Sequence, residues 1–444
     1  MAPDRRPRDV AVLVARSLGM QGLLLLALPP NLLLTAVALV RSMLAPAPRS
    51  RAAEPRTVLV TGGKMTKALT LARAFHAAGH RVVLVESPKY RFTGHRFSVA
   101  VDRFHVVPAP DHPGYADALL DIVLRERVDV FVPVSSPASS RFEALAGLRL
   151  APYCQVVHGE PARIGEIDDK ARFAERATTL GLPVPETHRI TRPEQVAAFD
   201  FASRPVPYIL KSIVYDPLHR LDLTRLPRPT AAETENVAAA KPISHERPWI
   251  LQEFVDGTEY CTHSTVRDGR LQVHCCCASS AFQLNYSPVD KPVIEEWVRR
   301  FVGALELTGQ YSFDFIELPS GEVFAIECNP RAHSAITLFR DHPGLARAYL
   351  EPTRDVIRPL RSARPTYWFY WELWRLLKQP GTARERIRVV VDGRDAIFDW
   401  ADPLPFLLVH HLQVPWLLLG NLVRLKEWVR IDVNIGKLVE PGGE

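Results

Sequence analysis

The sequence predicts a mixed α/β fold, an α/β first domain followed by an α+β unit, and two stretches carry that expectation. Residues 57–61 (TVLVT) read as a short apolar strand, followed by Gly62-Gly63-Lys64, a helical pattern over 65–78, a stop at Gly79 and a second apolar strand over 81–86. A strand–glycine loop–helix–strand unit announces a parallel sheet of Rossmann type. Far downstream, residues 310–334 (QYSFDFIELPSGEVFAIECNPRAHS) alternate apolar and polar over 311–317, turn at Pro319-Ser320-Gly321 and return over 323–328. That pattern is an antiparallel hairpin. A chain of 444 residues holds two or three domains. The expected divisions are an N-terminal segment and linker (1–55), a Rossmann-like domain (56–160), a second unit (161–352) and a C-terminal extension (353–444).

Residues 18–40 carry no charge and are mostly Leu, Ala and Val, long enough to cross a bilayer. Pro29-Pro30-Asn31 in the middle is expected to break a single helix, leaving halves of about ten residues, a length typical of re-entrant or interfacial segments. Arg5, Arg6, Arg8 and Arg16 lie before this run, and Arg41, Arg49, Arg51 and Arg56 after it. Positive charge on both flanks keeps both ends cytoplasmic. The expectation is a helical hairpin dipping into the cytoplasmic leaflet of the inner (plasma) membrane, with a plain transmembrane anchor as the alternative. A cleaved signal peptide fits least, since no clean cleavage site follows. Residues 45–55, rich in Pro, Ala and Arg, read as a linker.

In the first domain, further strands are expected over 104–107, 128–133 and 155–158, alternating with helices over 115–127 and 137–148. The loops after such strands gather at one sheet edge, where ligands bind. Gly62, Gly63, Lys64, Ser135 and Ser136 are thereby placed to line a substrate cleft, although Lys64 reads equally well as an exposed first-turn lysine. The full GxGxxG is missing. Glu86 stands where a ribose acceptor would sit, which keeps an NAD-dependent oxidoreductase as a minority reading.

Lysine is scarce in the second unit. Lys170 follows Asp168-Asp169, which can cap a helix over 171–180. Lys211 ends the apolar strand of YILKS, a costly position unless an anion awaits it, and phosphate is the natural partner. Residues 248–260 (PWILQEFVDGTEY) then give an apolar strand, a polar pair, a turn and Glu259. In the late hairpin, Glu327 and Asn329 are two apart and project together, and the pairing brings Asp314 alongside. Three oxygen ligands without Cys or His suit a hard cation such as Mg2+, which would take phosphate oxygens as further ligands. Arg331 points the same way, toward a transferring phosphoryl group. The hairpin alone reads equally as a solvated edge; the two lysines upstream decide between the readings.

Asp-Lys opening a helix, Lys ending a strand, a Q-E-F-x-x-G-x-E hinge, then Asp and Glu-x-Asn-x-Arg in a late hairpin: in this order the pattern resembles the ATP-grasp superfamily, over roughly residues 58–331. The resemblance implies an ATP-grasp fold with an N-terminal Rossmann-like pre-ATP-grasp domain. It implies ATP phosphates on Lys170 and Lys211, and adenine on Gln252 with the backbone of Glu253 to Val255. Ribose would lie on Glu259, and Mg2+ (or Mn2+) on Asp314, Glu327 and Asn329, with Arg331 stabilising the transition state. One departure stands out. Residues 182–256 contain no glycine to form a flexible phosphate loop, and the insert 215–247 offers Arg220, Arg225 and Arg228, which read either as a clamp or as a solvated basic loop.

Longer strings narrow the likeness: GGKMTKALTLARAFHAAGHRV from Gly62, EYCTHSTVRDG from Glu259, AIECNPRAHSAIT from Ala325 and NIGKLVE from Asn434. With the apolar N-terminus, they resemble the mycosporine-glycine synthase family, ligases that join glycine to 4-deoxygadusol with ATP. That likeness implies small-molecule substrates and makes His263, Ser264, His333 and Ser334 candidates for orienting enolate or amino acid, each with a purely structural hydrogen bond as the alternative.

The C-terminal extension is rich in Trp, Tyr and Pro. Residues 366–377 (TYWFYWELWRLL) crowd aromatics beyond what one helix face hides, and 403–429 runs apolar between His410, Pro415, Arg424 and Lys426, with Trp416 and Trp428 suited to headgroup depth. The readings left open are a basic amphipathic membrane-surface segment, a homodimer interface, or an extra layer on the ligase core. Cys154, Cys261, Cys275, Cys276, Cys277 and Cys328 contain no CxxC pair; consecutive strand thiols face opposite sides and cannot share an ion, so they read as reduced, buried side chains. The net charge of +6 is spread along the chain without aromatic interleaving, so nucleic acid is not an expected partner. A nucleotide sensor without turnover is the competing class, and the intact acid–Arg331 set argues against it.

Overall fold

A computed structural model describes residues 7–46, 49–214, 216, 219, 222–279 and 285–441, without the side chains of Pro7 and Arg8. Arg5, Arg6 and the Arg8 side chain on the N-terminal flank, and Arg220 of the expected clamp, lie outside the described residues.

The expected break at Pro29-Pro30 does not occur. α1 (Pro7–Leu44) is one continuous helix of 38 residues. Each proline removes an i→i−4 bond, but the residues flanking the pair are pinned to one surface, Leu24 by burial and Asn31 by hydrogen bonds to the Tyr370 hydroxyl (2.6 Å) and His411 Nε2 (2.7 Å). The linker then straps across the first domain, where Ser50 N–H donates to the Ala77 carbonyl at 2.8 Å.

The first domain follows its sequence pattern. β1 (Thr57–Val60), α2 (Thr66–Ala77), β2 (Arg81–Glu86), β3 (Arg103–Val106), α3 (Tyr115–Glu126), β4 (Val130–Val132), α4 (Ser140–Leu150) and β5 (Gln155–Val156) build a parallel sheet in the order β3-β2-β1-β4-β5. Val58, Leu59, Leu84 and Phe131 are fully buried, as a sheet covered on both faces requires. The strand order reverses between β1 and β4, so the loops after those strands, Gly62-Gly63-Lys64 and Ser135-Ser136, open on the same crevice. Gly62 has φ +63°, and a Cβ there would meet the Val134 carbonyl oxygen at 2.3 Å, so this turn admits only glycine.

The second unit has two sheets. α5 (Pro161–Asp168), α6 (Lys170–Thr179), β6 (Thr187–Ile190), α7 (Glu194–Ala197), β7 (Tyr208–Ser212), α8 (Ala231–Ala239) and β8 (Trp249–Glu253) include an antiparallel sheet β6-β8-β7 with its own core around Tyr208 and Trp249. β9 (Thr258–Arg267), β10 (Arg270–Ala278), β11 (Asn285–Tyr286), β12 (Pro288–Val289), α9 (Pro292–Ala304), β13 (Gly309–Glu317) and β14 (Val323–Asn329) supply the larger antiparallel sheet, β12-β10-β9-β13-β14. One face of that sheet packs on α6 and α9 through Phe173, Trp297, Phe301 and Phe313. Cys276 lies in that core, whereas Cys275 and Cys277 lie in the core on the opposite face, so the thiols alternate as expected. All six cysteines are free and buried.

The C-terminal extension comprises α10 (Leu345–Leu350), β15 (Thr366–Tyr367), α11 (Phe369–Lys378), α12 (Ala383–Asp392), β16 (Arg394–Asp395), α13 (Leu404–Leu408), a π turn over Val409–Gln413, α14 (Val414–Val423), β17 (Arg430–Asp432) and β18 (Lys437–Val439). Its inner face is an extra layer on the core. Arg73 of α2 bonds Asp402 at 2.9 Å, Arg340 pairs with Asp399, Trp368 Nε1 donates to Thr66 Oγ1 at 3.1 Å, and Thr66 N–H donates to the Asn434 carbonyl at 2.9 Å. Two residues expected toward the membrane turn inward instead. Trp428 is buried, donating to Ser17 Oγ (3.0 Å) beneath the Arg16 guanidinium, and His410 is buried with its Nδ1 on the Phe406 carbonyl, its pKa lowered to about 4 by burial.

One lysine joins the first domain to the segment after β14. Lys67 is 7% exposed, and its ammonium donates to the carbonyls of Ser135 (3.1 Å) and Ala332 (2.6 Å). Burial, reinforced by Arg331 and opposed by Glu143, lowers its pKa from 10.5 to about 7. The folded state therefore releases this proton near pH 7, whereas the unfolded chain holds it to about 10.5. Stability must then rise with pH across that window. We predict that the melting temperature of the wild type climbs between these limits relative to Lys67→Met, which lacks this slope; parallel curves would show that Lys67 stays charged.

Candidate active site

The hairpin sets the centre of the site. β13 and β14 pair with Asp314 directly opposite Glu327, and a register shift after Asp314 bends the strands there, as bulges beside active sites do. Glu327 and Asn329 share a face by strand alternation, while Cys328, Phe313 and Phe315 turn into the apolar core behind. The expected trio is thus together: Asn329 Nδ2 donates to Asp314 Oδ2 at 3.3 Å and Glu327 Oε1 at 3.2 Å. Its Oδ1 accepts from Arg331 Nη2 at 2.5 Å.

Cations surround the pair. Lys170, at the start of α6, places Nζ 3.0 Å from Glu327 Oε2. Burial works against the Lys170 charge, but Glu327 outweighs it and raises the pKa. Lys211 comes from β7 on the other sheet; burial lowers its pKa, partly offset by Glu327, with Glu259 and Asp314 also near. Burial and the facing Glu327 push Asp314 well above the usual carboxylate range. Burial acts on Glu327 in the same sense, yet Lys170, Asp314 and Lys211 hold it well below. The two facing carboxyls are thus driven in opposite directions, Asp314 up and Glu327 down.

That arrangement of two facing carboxyls with an amide beside them fits a divalent cation that takes hard oxygen donors. Asn329 joins as a ligand only by turning its amide over, since its NH2 now faces the carboxylates. No three His, Cys, Asp or Glu side chains converge as a metal group among the described residues, consistent with a site built from two acids and an amide.

The hinge differs in detail from expectation. Gln252 is buried and its side chain donates to Thr187 Oγ1 at 3.1 Å. The Glu253 and Phe254 amides are held by the carbonyls of Glu186 and Pro207, both at 2.8 Å, so of the expected adenine contacts the described bonding leaves the Val255 end of the hinge nearest to a ligand. Glu259 lies within electrostatic reach of Lys211 and Asp314, as a ribose ligand beside the phosphates would. Arg225 sits over the Phe254 ring at 4.1 Å and pairs with Asp256, beside the hinge and not over the acid pair; Arg228 is exposed.

On the first-domain side, Lys64 lies over the Tyr90 ring at 3.8 Å and its backbone N–H donates to Glu86 Oε2 at 3.0 Å. Glu86 also accepts from Ser87, so it braces the glycine loop, and the dinucleotide reading of Glu86 fails for that reason. Ser135 bonds the buried Glu143. His263 lies on the same side of β9 as Cys261, which is paired with Asp314, and its Nδ1 accepts from His333 N–H at 3.2 Å. His333 packs edge-on against Tyr286 at 5.2 Å, and Ser334 is buried beside it. Ser264 faces away from this group, bonded to His274 at 3.0 Å, and is corrected to a structural residue.

Two members were not anticipated. Asp168 was expected to help cap α6, but Asp169 alone does so, accepting from the Ala171 and Arg172 amides, and Asp168 instead faces Arg331 at 3.8 Å. Lys67 was passed over for Lys64; its place in GGKMTK was the available signal.

No family model matches the sequence, and no curated protein matches it. Solved structures match over most of the chain. A PurK N5-carboxyaminoimidazole ribonucleotide synthetase in complex with ADP aligns over 74% of this chain and 86% of its own, at 14% identity and TM-score 0.54. The biotin carboxylase domain of a single-chain bacterial carboxylase aligns over 68% of each chain, at 18% identity and TM-score 0.51. The biotin carboxylase domain of Hydrogenobacter thermophilus 2-oxoglutarate carboxylase, in complex with MgADP and bicarbonate, aligns over 68% of this chain and 72% of its own, at 14% identity and TM-score 0.52. Together with the paired sheets and the pre-domain, these similarities show that the chain adopts the ATP-grasp fold.

Proposed function

We propose that the protein is an ATP-dependent, ADP-forming ligase that activates an acidic acceptor as its phosphate and joins it to an amine, and that the pair is 4-deoxygadusol and glycine. The observation that carries the ligase reading is the Asp314–Glu327 pair in direct register, ringed by Lys170, Lys211 and Arg331. The similar structures in complex with ADP or MgADP support ATP and Mg2+ as its cofactors.

What supports the finer reading is the convergence of four strings distant in sequence. The glycine loop and α2 reach the late hairpin through Lys67 and Ala332, β9 meets it through His263 and His333, and Asn434 closes on Thr66. The enol of 4-deoxygadusol is a vinylogous carboxylic acid. Its oxygen attacks the γ-phosphorus, the bond to ADP breaks, and a vinylogous acyl phosphate results. The glycine amine adds to the carbon bearing that phosphate and loses a proton, the C–O bond breaks, and phosphate leaves. Mg2+ would neutralise charge on the phosphate oxygens, held by Asp314, Glu327 and the turned Asn329. Lys170 and Lys211 hold the phosphates, and Arg331 meets the charge that develops during transfer. Burial of the cleft limits hydrolysis of the activated intermediate.

Purified protein given ATP, Mg2+, 4-deoxygadusol and glycine is expected to release ADP with a new ultraviolet-absorbing product. Release with another carboxylic acid acceptor and not with 4-deoxygadusol would keep the ligase and reject the substrate; no release with any acceptor–amine pair would reject both. Glu327→Gln is expected to lower kcat by roughly 10²- to 10³-fold in protein that still folds, and near-normal turnover would sink the metal assignment. Lys211→Met should raise KM for ATP by about tenfold or more, whereas Ser264→Ala should leave both constants within about twofold because it faces away from the site; titrations of ATP against initial rate separate them.

A further inference from the structure

We propose that α1 and the outer side of the C-terminal extension form one in-plane docking face for an anionic lipid bilayer, so that α1 lies on the membrane rather than across it. The helix is apolar and long enough to span, but at 1.5 Å per residue it runs about 57 Å, roughly twice the ~30 Å hydrocarbon core. It is also tied down along its length. Arg16 donates to the Trp428 carbonyl (2.9 Å), Gln21 to the Pro415 carbonyl (3.0 Å), Asn31 bonds Tyr370 and His411, and Arg41 lies over the Trp400 ring (5.1 Å). These anchors belong to the layer that is itself bonded to α2 through Asp402, so standing α1 upright would tear the layer off the catalytic core.

The side turned outward is uniform. From Leu18 to Val40 every exposed residue is Leu, Val, Ala, Gly or Pro, with Leu26 and Leu33 76% and 68% exposed. The layer on which α1 packs also exposes Leu377, Val391 and Val423, all at least 66%, with Trp374 and Trp416. Its occupant is decided by what the helix lacks. Protein interfaces carry about one hydrogen bond per 100–200 Å², and this stripe offers no side chain able to make one, whereas a hydrocarbon interior asks for none. The same layer carries Lys378, over the Trp374 ring at 4.8 Å, and the exposed Arg384, Arg388, Arg424 and Lys426, against Glu385, Asp392, Glu427 and Glu440, the last paired with Lys426 at 3.6 Å. Tryptophan beside lysine at the border of an apolar face is the chemistry of the headgroup layer, and the excess of cations selects anionic headgroups.

The full chain, exchanged from detergent into vesicles of phosphatidylcholine with phosphatidylglycerol, is expected to float with them, and more weakly with phosphatidylcholine alone. Leu26→Glu/Leu33→Glu is expected to cut flotation at least tenfold with an unchanged melting temperature. Protein that stays at the bottom of the gradient, a double variant that floats like the wild type, or a lipid-free dimer dispersed by the same substitutions overturns the proposal. Orientation is read separately with Ala11→Cys and Ala45→Cys in expressing cells, since the native thiols are buried. An impermeant maleimide should label neither from outside and both from the cytoplasmic side; labelling of either from outside overturns the in-plane placement. None of these measurements depends on the ligase reaction.

Discussion

Two carboxylates face each other across neighbouring strands, and much of this protein follows from making that tolerable. Like charges directly opposite in a sheet are destabilising, and two unit charges 4 Å apart repel by about 4 kcal/mol even at an effective dielectric of ~20. Asp314 and Glu327 are also half-buried, which thins the solvent that would screen them. Lys170 offers one ammonium, Lys211 a second, and Arg331 a guanidinium through Asn329. Such a cluster gathers three cationic side chains around two facing carboxyls. A sheet edge kept only for packing would have no reason to assemble it.

The cleft is assembled by long-range ties, and each has a distinct physical job. α6 is capped by Asp169, which fixes where Lys170 begins. The β6-β8-β7 sheet, with its own core, carries Lys211 and the hinge as a separate body from the hairpin sheet, so nucleotide can be gripped from both sides. The first domain is tied to the hairpin by Lys67, whose two carbonyl partners are Ser135 and Ala332, immediately after Arg331. A buried lysine satisfied by carbonyls from two domains registers one against the other. Positioning Arg331 to within a fraction of an ångström is what transfer chemistry demands of the scaffold.

Local chemistry was legible in the sequence; distant contact was not. The Glu327–Asn329 spacing and the turn at Gly321 dictate a shared face because a strand has a period of two, and the structure has that face. The parallel sheet, the strand ending in Lys211 and the alternating cysteines were readable for the same reason. Lys67 looked like one more early-helix residue, because its burial is set by a carbonyl 265 positions away. Trp428 and His410 carried the composition of a membrane surface, and only the arrival of α1 and the folding of the π turn turned them inward. Pro29-Pro30 predicts a break by backbone rules alone, and anchoring of Leu24 and Asn31 to the same layer overrides them. Ser264 and His263, adjacent in a distinctive string, were separated by strand alternation once the active face was fixed by Asp314.

The C-terminal layer has two sides, and they are mechanically one object. Gln413, in the π turn, accepts from the Gly94 amide at 2.9 Å and from Thr93 Oγ1 at 3.1 Å, and Thr93 and His95 in turn bond the Gly63 carbonyl at 3.2 and 2.9 Å. Gln413 also donates to the Gly436 carbonyl at 2.9 Å, where a Cβ on Gly436 would strike the Lys64 carbonyl oxygen at 2.0 Å. The glycine loop of the first domain is therefore held from behind by the element that continues directly into α14, whose Trp416 is part of the proposed lipid face. A loop of two glycines is intrinsically permissive, and it gains a fixed shape only from what packs on it. Anything that immobilises α14 stiffens that loop, so under the proposed placement a chain resting on a bilayer would hold its glycine loop on a firmer base than the same chain afloat.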